Sequence, residues 1–355
     1  MNCSISRKRG HMLKTALLAT SLACSAFSYS QVASAEETLN LYNWGEYINP
    51  EVLSRFTEST GIKVKLDTYS SNEELLAKLQ AGATGYDIVF PSVHMQDIMA
   101  QLHLLEKTYI NQYSGFKHID SAFLTAESDP KGEYCLPYAW GTVGILYNKK
   151  LVPELNSWDD FFALPKQGKN IAMLDEMREV ISVGLITHGK SVNSTDRDDL
   201  KVAQDYIIQQ KGNISAFTYD SIPMVQSGDI AAAQWYVGAM LYVFENPDEL
   251  AYVIPEEGAT KYQENMCVLK SAPNKANAQK FLEFFTQPEI AALNAKQQTN
   301  GTMNKDAIEL LPDYLRNNPS INPPASVRAK LQMFKELGKG IKLYDRAWTK
   351  IRTSS

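Results

Sequence analysis

The 355-residue sequence has five histidines and four cysteines, and its charges leave a formal net charge of −5. With no CxxC pair and no His/Cys cluster among them, a dedicated transition-metal site has no obvious ligand set. No HExxH pair and no GxSxG elbow occur, which removes the zincin and α/β-hydrolase routes to catalysis. The acidic balance excludes a broad surface for nucleic acid or anionic lipid. No stretch reaches the roughly 18 uninterrupted apolar residues of a transmembrane helix. Internal repeats and low-complexity tracts are also missing.

What is present begins with an export signal. Arg7, Lys8, Arg9 and Lys14 form a positive region, residues 17–23 a short apolar core, and Ala33-Ser34-Ala35 a small-residue cleavage pattern. Residues 1–35 are therefore expected to be a signal peptide, with Glu36 opening the exported chain. A lipid anchor at Cys24 fits poorly, because Ser21 stands where a large aliphatic residue belongs. Loss of four basic and no acidic residues makes the exported chain more acidic than the whole. An oxidising compartment leaves Cys135 and Cys267 as one disulfide or as two buried free thiols. About 320 residues remain, enough for two lobes with separate cores.

Short apolar runs alternate with amphipathic ones along the rest. Residues 39–44 read as a strand, 50–59 as a helix stopped by Gly61, and 62–69 as a second strand. Ser71-Asn72-Glu73-Glu74 opens a helix over 74–80, and 87–90 is a buried strand ended by Pro91. This order predicts an α/β fold with a mostly parallel sheet. A strand-forming stretch at 134–147 leads into a second set, with strands at 170–174, 214–218, 231–235 and 251–255 and helices at 176–188 and 200–210. A strand at 265–269 returns the chain, helices fill 275–296, and a helical stretch occupies 326–350. Two lobes joined by two or three crossing segments make a cleft, with ligands at the carboxyl ends of the parallel strands.

The residues that follow each strand should therefore line the cleft. They are Trp44-Gly45-Glu46-Tyr47, Ser92-Val93-His94, Asp175-Glu176-Met177-Arg178-Glu179 and Trp235-Tyr236, while Tyr262-Gln263-Glu264 precedes the returning strand. Aromatics and carboxylates recur in them, a mixture suited to an organic ammonium. Each charged nitrogen must exchange its water for carboxylate oxygens, and its methylenes need an apolar wall. Ring faces supply the wall and attract the cation by about 0.5–2 kcal/mol each. A hydrogen bond to a charged group adds roughly 1.5–3 kcal/mol.

Each element also has a structural explanation. Trp44 and Trp235 could be core, His94 a structural histidine, and Asp175 a helix N-cap. Glu176 and Glu179 share a helical face at i,i+3, where Arg178 could neutralise either. Recurrence at strand ends assigns Trp44, Tyr47, His94, Glu176, Glu179, Trp235, Tyr262 and Glu264 to a ligand site, with no cofactor and no catalytic residue.

These segments also resemble a known family. Residues 44–47, 61–64 through 71–73, 86–92, 137–141 and Arg178-Glu179-Val180 are similar to the bacterial spermidine/putrescine-binding proteins, in compatible order and spacing from Leu39 almost to the end. The resemblance implies a type II periplasmic binding fold, with an N-lobe of residues 36–140 and 263–305 and a C-lobe of residues 141–262 and 306–355. It implies that Trp44 and Tyr47 are N-lobe contacts and that Trp235 flanks the ligand. Glu179 falls on a family glutamate, Glu176 and Glu264 stand at aspartate positions, and Tyr262 at a tryptophan. The pattern breaks at His94 and Asn300, where tyrosines are usual, and at Phe334, where glutamine is.

The departures resemble a branch in which such a protein senses norspermidine and spermidine for an inner-membrane cyclic-di-GMP enzyme that controls biofilm formation. The expectation places this periplasmic sensor role first and the binding subunit of a polyamine ABC transporter, with its permease, second. A metal binder of the same fold would need clustered tyrosine or imidazole ligands. The protein is expected to be a monomer with no nucleic-acid partner.

Overall fold

Well-signalled helix ends and alternating apolar positions build the first third of the structure, a computed structural model that describes residues 37–354. The export signal read at residues 1–35 lies outside the described residues. Strand β1 (Thr38–Trp44) buries Leu39, Leu41 and Tyr42. The Asn49 side chain then accepts from Glu51 N, Pro50 fills the first turn, and Gly61 at φ 75° closes α1 (Pro50–Thr60). After β2 (Lys63–Tyr69), the Ser71 hydroxyl accepts from Glu74 N at the start of α2 (Asn72–Gln80). β3 (Ile88–Val89) and α3 (Val93–Gln101) complete this unit. β1 lies between β2 and β3 and is parallel to both.

β4 (Cys135–Asn148) runs on for 14 residues, all of them buried. The chain continues through α4 (Trp158–Ala163), β5 (Ile171–Met173), α5 (Met177–Thr187), α6 (Arg197–Lys211), β6 (Ile214–Phe217) and α7 (Ser221–Ser227). It then forms β7 (Ala232–Tyr236), α8 (Met240–Glu245), β8 (Leu250–Val253), β9 (Ala259–Val268), α9 (Lys275–Phe285) and α10 (Pro288–Gln298). β10 (Gly301–Thr302), β11 (Leu331–Met333) and a closing helix at Ile341–Thr353 follow.

The expected two-lobed α/β class is what the strands form, with a centre the sequence did not specify. The order β2-β1-β3-β9-β4-β7-β5-β6 places a parallel wing at each end. Between them β9 is antiparallel to β3 and to β4, and β4 is antiparallel to β7. Parallel pairing thus builds the two wings, where helical crossovers permit it, and recurs where β11 lies parallel to β9 at the centre. One core packs around β1 and β3 with α1, α9 and α10 and extends past β4 to Val225, Met240 and Tyr252. A second core lies among α4, α5, α6, β5 and the closing helix, and includes Trp158, Ile181, Leu200 and Tyr344.

Three local expectations need correction. Residues 262–264 do not precede the returning strand; they sit inside β9, which begins at Ala259 because it pairs with β4 and β11. The stretch 326–350 is not one helix, since Leu331–Met333 joins the sheet beside β9 and the helix starts at Ile341. Asp175 is not the N-cap of α5. Glu176 caps it, its carboxylate accepting from Arg178 N at 3.1 Å and Glu179 N at 2.6 Å. Exposed Asp175 instead accepts from Arg352 Nη1 on the closing helix at 2.7 Å.

Cys135 and Cys267 face each other across β4 and β9 and are bridged, with Cα atoms 4.5 Å apart. The bridge links positions 132 residues apart in sequence. Replacing both cysteines by serine should lower the unfolding free energy by about 2–4 kcal/mol, through freer unfolded chains, with no loss of native circular dichroism. Urea titration of variant and parent side by side measures it.

Candidate functional site

Strand alternation puts Tyr262 and Glu264 on one face of β9, and Lys261 and Gln263 on the other. Glu264 is almost fully buried, and its Oε2 accepts from Tyr47 Oη at 2.8 Å. Tyr262 donates to Asn300 Oδ1 at 3.0 Å, and its ring lies 5.7 Å from that of Tyr236 at the end of β7. A Cβ on Gly141, opposite Tyr262 on β4, would stand 2.3 Å from the Tyr262 Oη and 2.7 Å from Val237. The bare glycine is what admits this ring.

Tyr47 is held from behind. Its carbonyl accepts from Tyr138 Oη and from Asn43 Nδ2, and Tyr138 Oη in turn accepts from Asn294 Nδ2 and Gln298 Nε2, both at 3.0 Å. The loop enters through Glu46 in the left-handed region at φ 52°. Trp44 donates from Nε1 to Phe90 O at 2.8 Å and packs its ring 4.7 Å from Tyr69.

A second buried carboxylate comes from α5. Glu179 is buried in its first turn, and Glu179 Oε2 accepts from Thr260 Oγ1 at 2.5 Å. Arg178 forms no ion pair with either neighbouring glutamate, although its charge still favours both anions to a lesser degree than burial opposes them. It points away, donating to Lys335 O, Val192 O and Asn193 Oδ1, with its guanidinium 4.0 Å over the Phe334 ring. Among the described residues Glu179 and Glu264 therefore have hydroxyl donors and no basic side chain bonded to them.

The electrostatics follow from that burial. Desolvation pushes the Glu264 carboxyl up to about 8, against the Tyr47 hydrogen bond that favours the anion. Burial and then the nearby Glu176 raise Glu179, and burial raises Glu176 despite its two amide donors. The phenols are raised by burial first and then by these anions. Tyr47 is affected by Glu264, Tyr262 by Glu264 and Glu179, and Tyr236 by Glu179 and Glu176. Tyr219, with its ring 6.3 Å from Trp235, is affected by Glu176, Glu179, Asp175 and Glu73.

The structure thus brings Tyr47, Tyr262 and Glu264 together, holds Glu176 and Glu179 at the start of α5, and sets Trp235 beside Tyr236 and Tyr219. His94 stands to one side. Its Nδ1 meets Ser92 Oγ at 3.1 Å, and its ring lies 6.5 Å from Phe334. Burial, with Arg178 second, lowers it to about 4, so it is neutral at neutral pH.

Tyr219, Tyr236, Thr260 and Asn300 belong to the same surroundings and were not singled out from residue patterns as site residues. Tyr236 carried a signal, being next to Trp235 at a strand end; Thr260 shares its face of β9 with Tyr262 and Glu264. Residues 184–191 have the GxxxxGKS spacing of a phosphate-binding loop but not its setting before a helix. They run out of the C-terminal turn of α5, where carbonyls face outward, and Lys190 pairs with Asp199 at 2.7 Å. No group of three or more His, Cys, Asp or Glu among the described residues could hold a metal ion. No helix among them is long and apolar enough to cross a membrane.

The sequence matches the family described as bacterial extracellular solute-binding protein over residues 51–323. The putrescine-binding periplasmic protein of Escherichia coli (strain K12) is 32% identical over 353 residues, covering 93% of this chain and 95% of its own. The spermidine/putrescine-binding periplasmic protein of Salmonella typhimurium is 29% identical over 324 residues, covering 90% and 93%. Among solved structures, the spermidine/putrescine ABC transporter substrate-binding protein of Streptococcus pneumoniae superposes with a TM-score of 0.82 at 32% identity, over 90% of this chain and 99% of that one. The chain belongs to the bacterial extracellular solute-binding proteins, in their periplasmic spermidine/putrescine-binding branch, and its two-lobed type II α/β fold is theirs.

Proposed function

We propose that the protein binds a linear polyamine in the slot between its lobes, in the periplasm, and presents it to an ABC permease. The observation that carries this reading is the pair of buried carboxylates, Glu179 and Glu264, with no cation of the protein's own bonded to either. A ligand carrying several ammonium groups supplies what they lack. Glu264 takes one end beside Tyr47, Glu179 and Glu176 take the amines further along, and Trp44, Trp235 and Tyr262 wall the methylenes. His94, neutral and packed toward Phe334, is a lateral contact.

The lobes are assigned as residues 36–140 with 263–305 and 141–262 with 306–355. The first two boundaries fall where Trp140 pairs with Gln263 and Gly141 with Tyr262, in the antiparallel pair that links the wings. Bending there moves the Tyr47 wall relative to the α5 wall. Ligand that touches both walls favours the closed state by its differential affinity, and the partner reads that state.

The names of the relatives reverse the order of the two roles expected from sequence. A solved relative is named as an ABC transporter substrate-binding protein, which supports transport. The sensor role, with norspermidine as signal and an inner-membrane cyclic-di-GMP enzyme as partner, is carried by the departures at His94, Asn300 and Phe334. Polyamine uptake by a deletion strain separates the two. Loss of uptake is the expected result, and normal uptake with altered biofilm would favour the sensor.

Calorimetry against putrescine, spermidine and norspermidine should give saturable binding to at least one. Glu264→Gln or Glu179→Gln should weaken it about tenfold to a hundredfold, the loss of one charged hydrogen bond. A folded protein that binds none of the three overturns the reading.

Acidity should act in opposite directions on ligand affinity and on unliganded stability. A carboxyl raised by folding holds its proton in the folded state above its unfolded pKa, so stability declines as pH rises from about 5 toward 8. Cation binding needs the anion, so affinity should rise over the same window and binding should release protons. Thermal unfolding without ligand and titrations in two buffers of different ionisation enthalpy measure both effects. A flat affinity between pH 6 and 8 would exclude Glu264 as the ammonium partner.

A further inference from the structure

The opposite face of β9 borders a cavity of about 330 Å³, at the lower end of the size of ligand pockets. Its walls are mainly apolar, from Val93, Leu331, Met333 and Phe334. Lys261 lines it, one residue from Tyr262 and therefore on the other side of the strand. Lys261 is fixed in register between Thr142 on β4 and Met333 on β11, so its backbone has little freedom.

The charge pattern of this cavity is unbalanced in one place. Two carboxylates border it, and both are occupied. Asp97 accepts from Ser128 N, Ser128 Oγ and Glu127 N. Glu127 pairs with Lys335 at 3.1 Å, both side chains largely exposed. Lys261, half-buried, has no hydrogen-bond or ion-pair partner among the described residues. Burial and then the Arg328 guanidinium lower its pKa, with no carboxylate opposing them. A partly desolvated ammonium beside an apolar cavity is costly unless an anion meets it.

We infer that this cavity is a second ligand site, for a small organic carboxylate whose charge is held by Lys261 and whose apolar body lies against Val93, Leu331, Met333 and Phe334. Thr125 and Asn193 complete its polar edge. The chemistry is the reverse of the slot on the other face of β9, where anionic side chains await a cation. One strand thus presents opposite charge to two sites through alternate residues.

Calorimetry and thermal unfolding of the full protein, with hexanoate as probe and inorganic phosphate as the anion without an apolar body, test the assignment. Hexanoate should bind and raise the melting temperature, and phosphate should bind at least tenfold more weakly. Lys261→Met should remove hexanoate binding, Lys261→Arg should keep it within a few fold, and both should retain the parent's polyamine binding. In the unmodified protein, hexanoate affinity should fall as pH rises and Lys261 loses its proton, a readout that requires no variant to fold. No hexanoate binding, or binding that survives in Lys261→Met, overturns the site. Phosphate binding equal to hexanoate overturns its apolar half.

Discussion

Removing a carboxylate from water costs several kcal/mol unless cations or well-aimed donors replace the water. Glu179 and Glu264 each receive one hydroxyl donor, from Thr260 and Tyr47, and no basic side chain is bonded to them. The fold bears this cost by holding the surroundings rigidly. Tyr47 is fixed through its carbonyl by Tyr138, which is itself fixed by two amides of α10. Thr260 and Glu264 lie on one strand, β9, whose pairing with β4 is locked by the Cys135–Cys267 bridge. Protonation lessens the cost in the unliganded protein, which is why burial drives these carboxyls upward.

The antiparallel pair β4 and β9 has two consequences at once. It joins a parallel wing on each side into one hydrogen-bonded sheet, so the two cores share a mechanical centre. It also presents side chains of opposite charge on its two faces. Tyr262 and Glu264 face the slot, and Lys261 faces the cavity bordered by β11. Gly141 shows how tight the pairing is, because a single methyl group there would displace the Tyr262 ring. Movement at this pair would be felt by both sites.

Arg178 illustrates the limit of local reasoning. Between Glu176 and Glu179 in sequence, it looks like their counter-ion. The helix sends its side chain elsewhere, into carbonyls of residues 192 and 335 and onto Phe334. The result leaves Glu179 without an ion pair from its neighbour and ties the segment after β11 to the helix that carries it. His94 meets that segment through Phe334, so a residue expected among the ligand contacts also packs against the chain after β11.

The sequence by itself determined the α/β class, most of the longer helices and the aromatic and acidic character of the strand ends. Those features are written in short-range periodicity, capping residues and the chemistry of strand ends, as at Asn49, Ser71 and Gly61. Only the tertiary structure decided which strands run antiparallel, which glutamate caps α5, and where Arg178 turns. It also joined Cys135 to Cys267 and placed Thr260, Tyr236 and Asn300 beside the buried carboxylates. Each of those depends on partners far along the chain, and register between distant strands leaves no mark on the local pattern of either one.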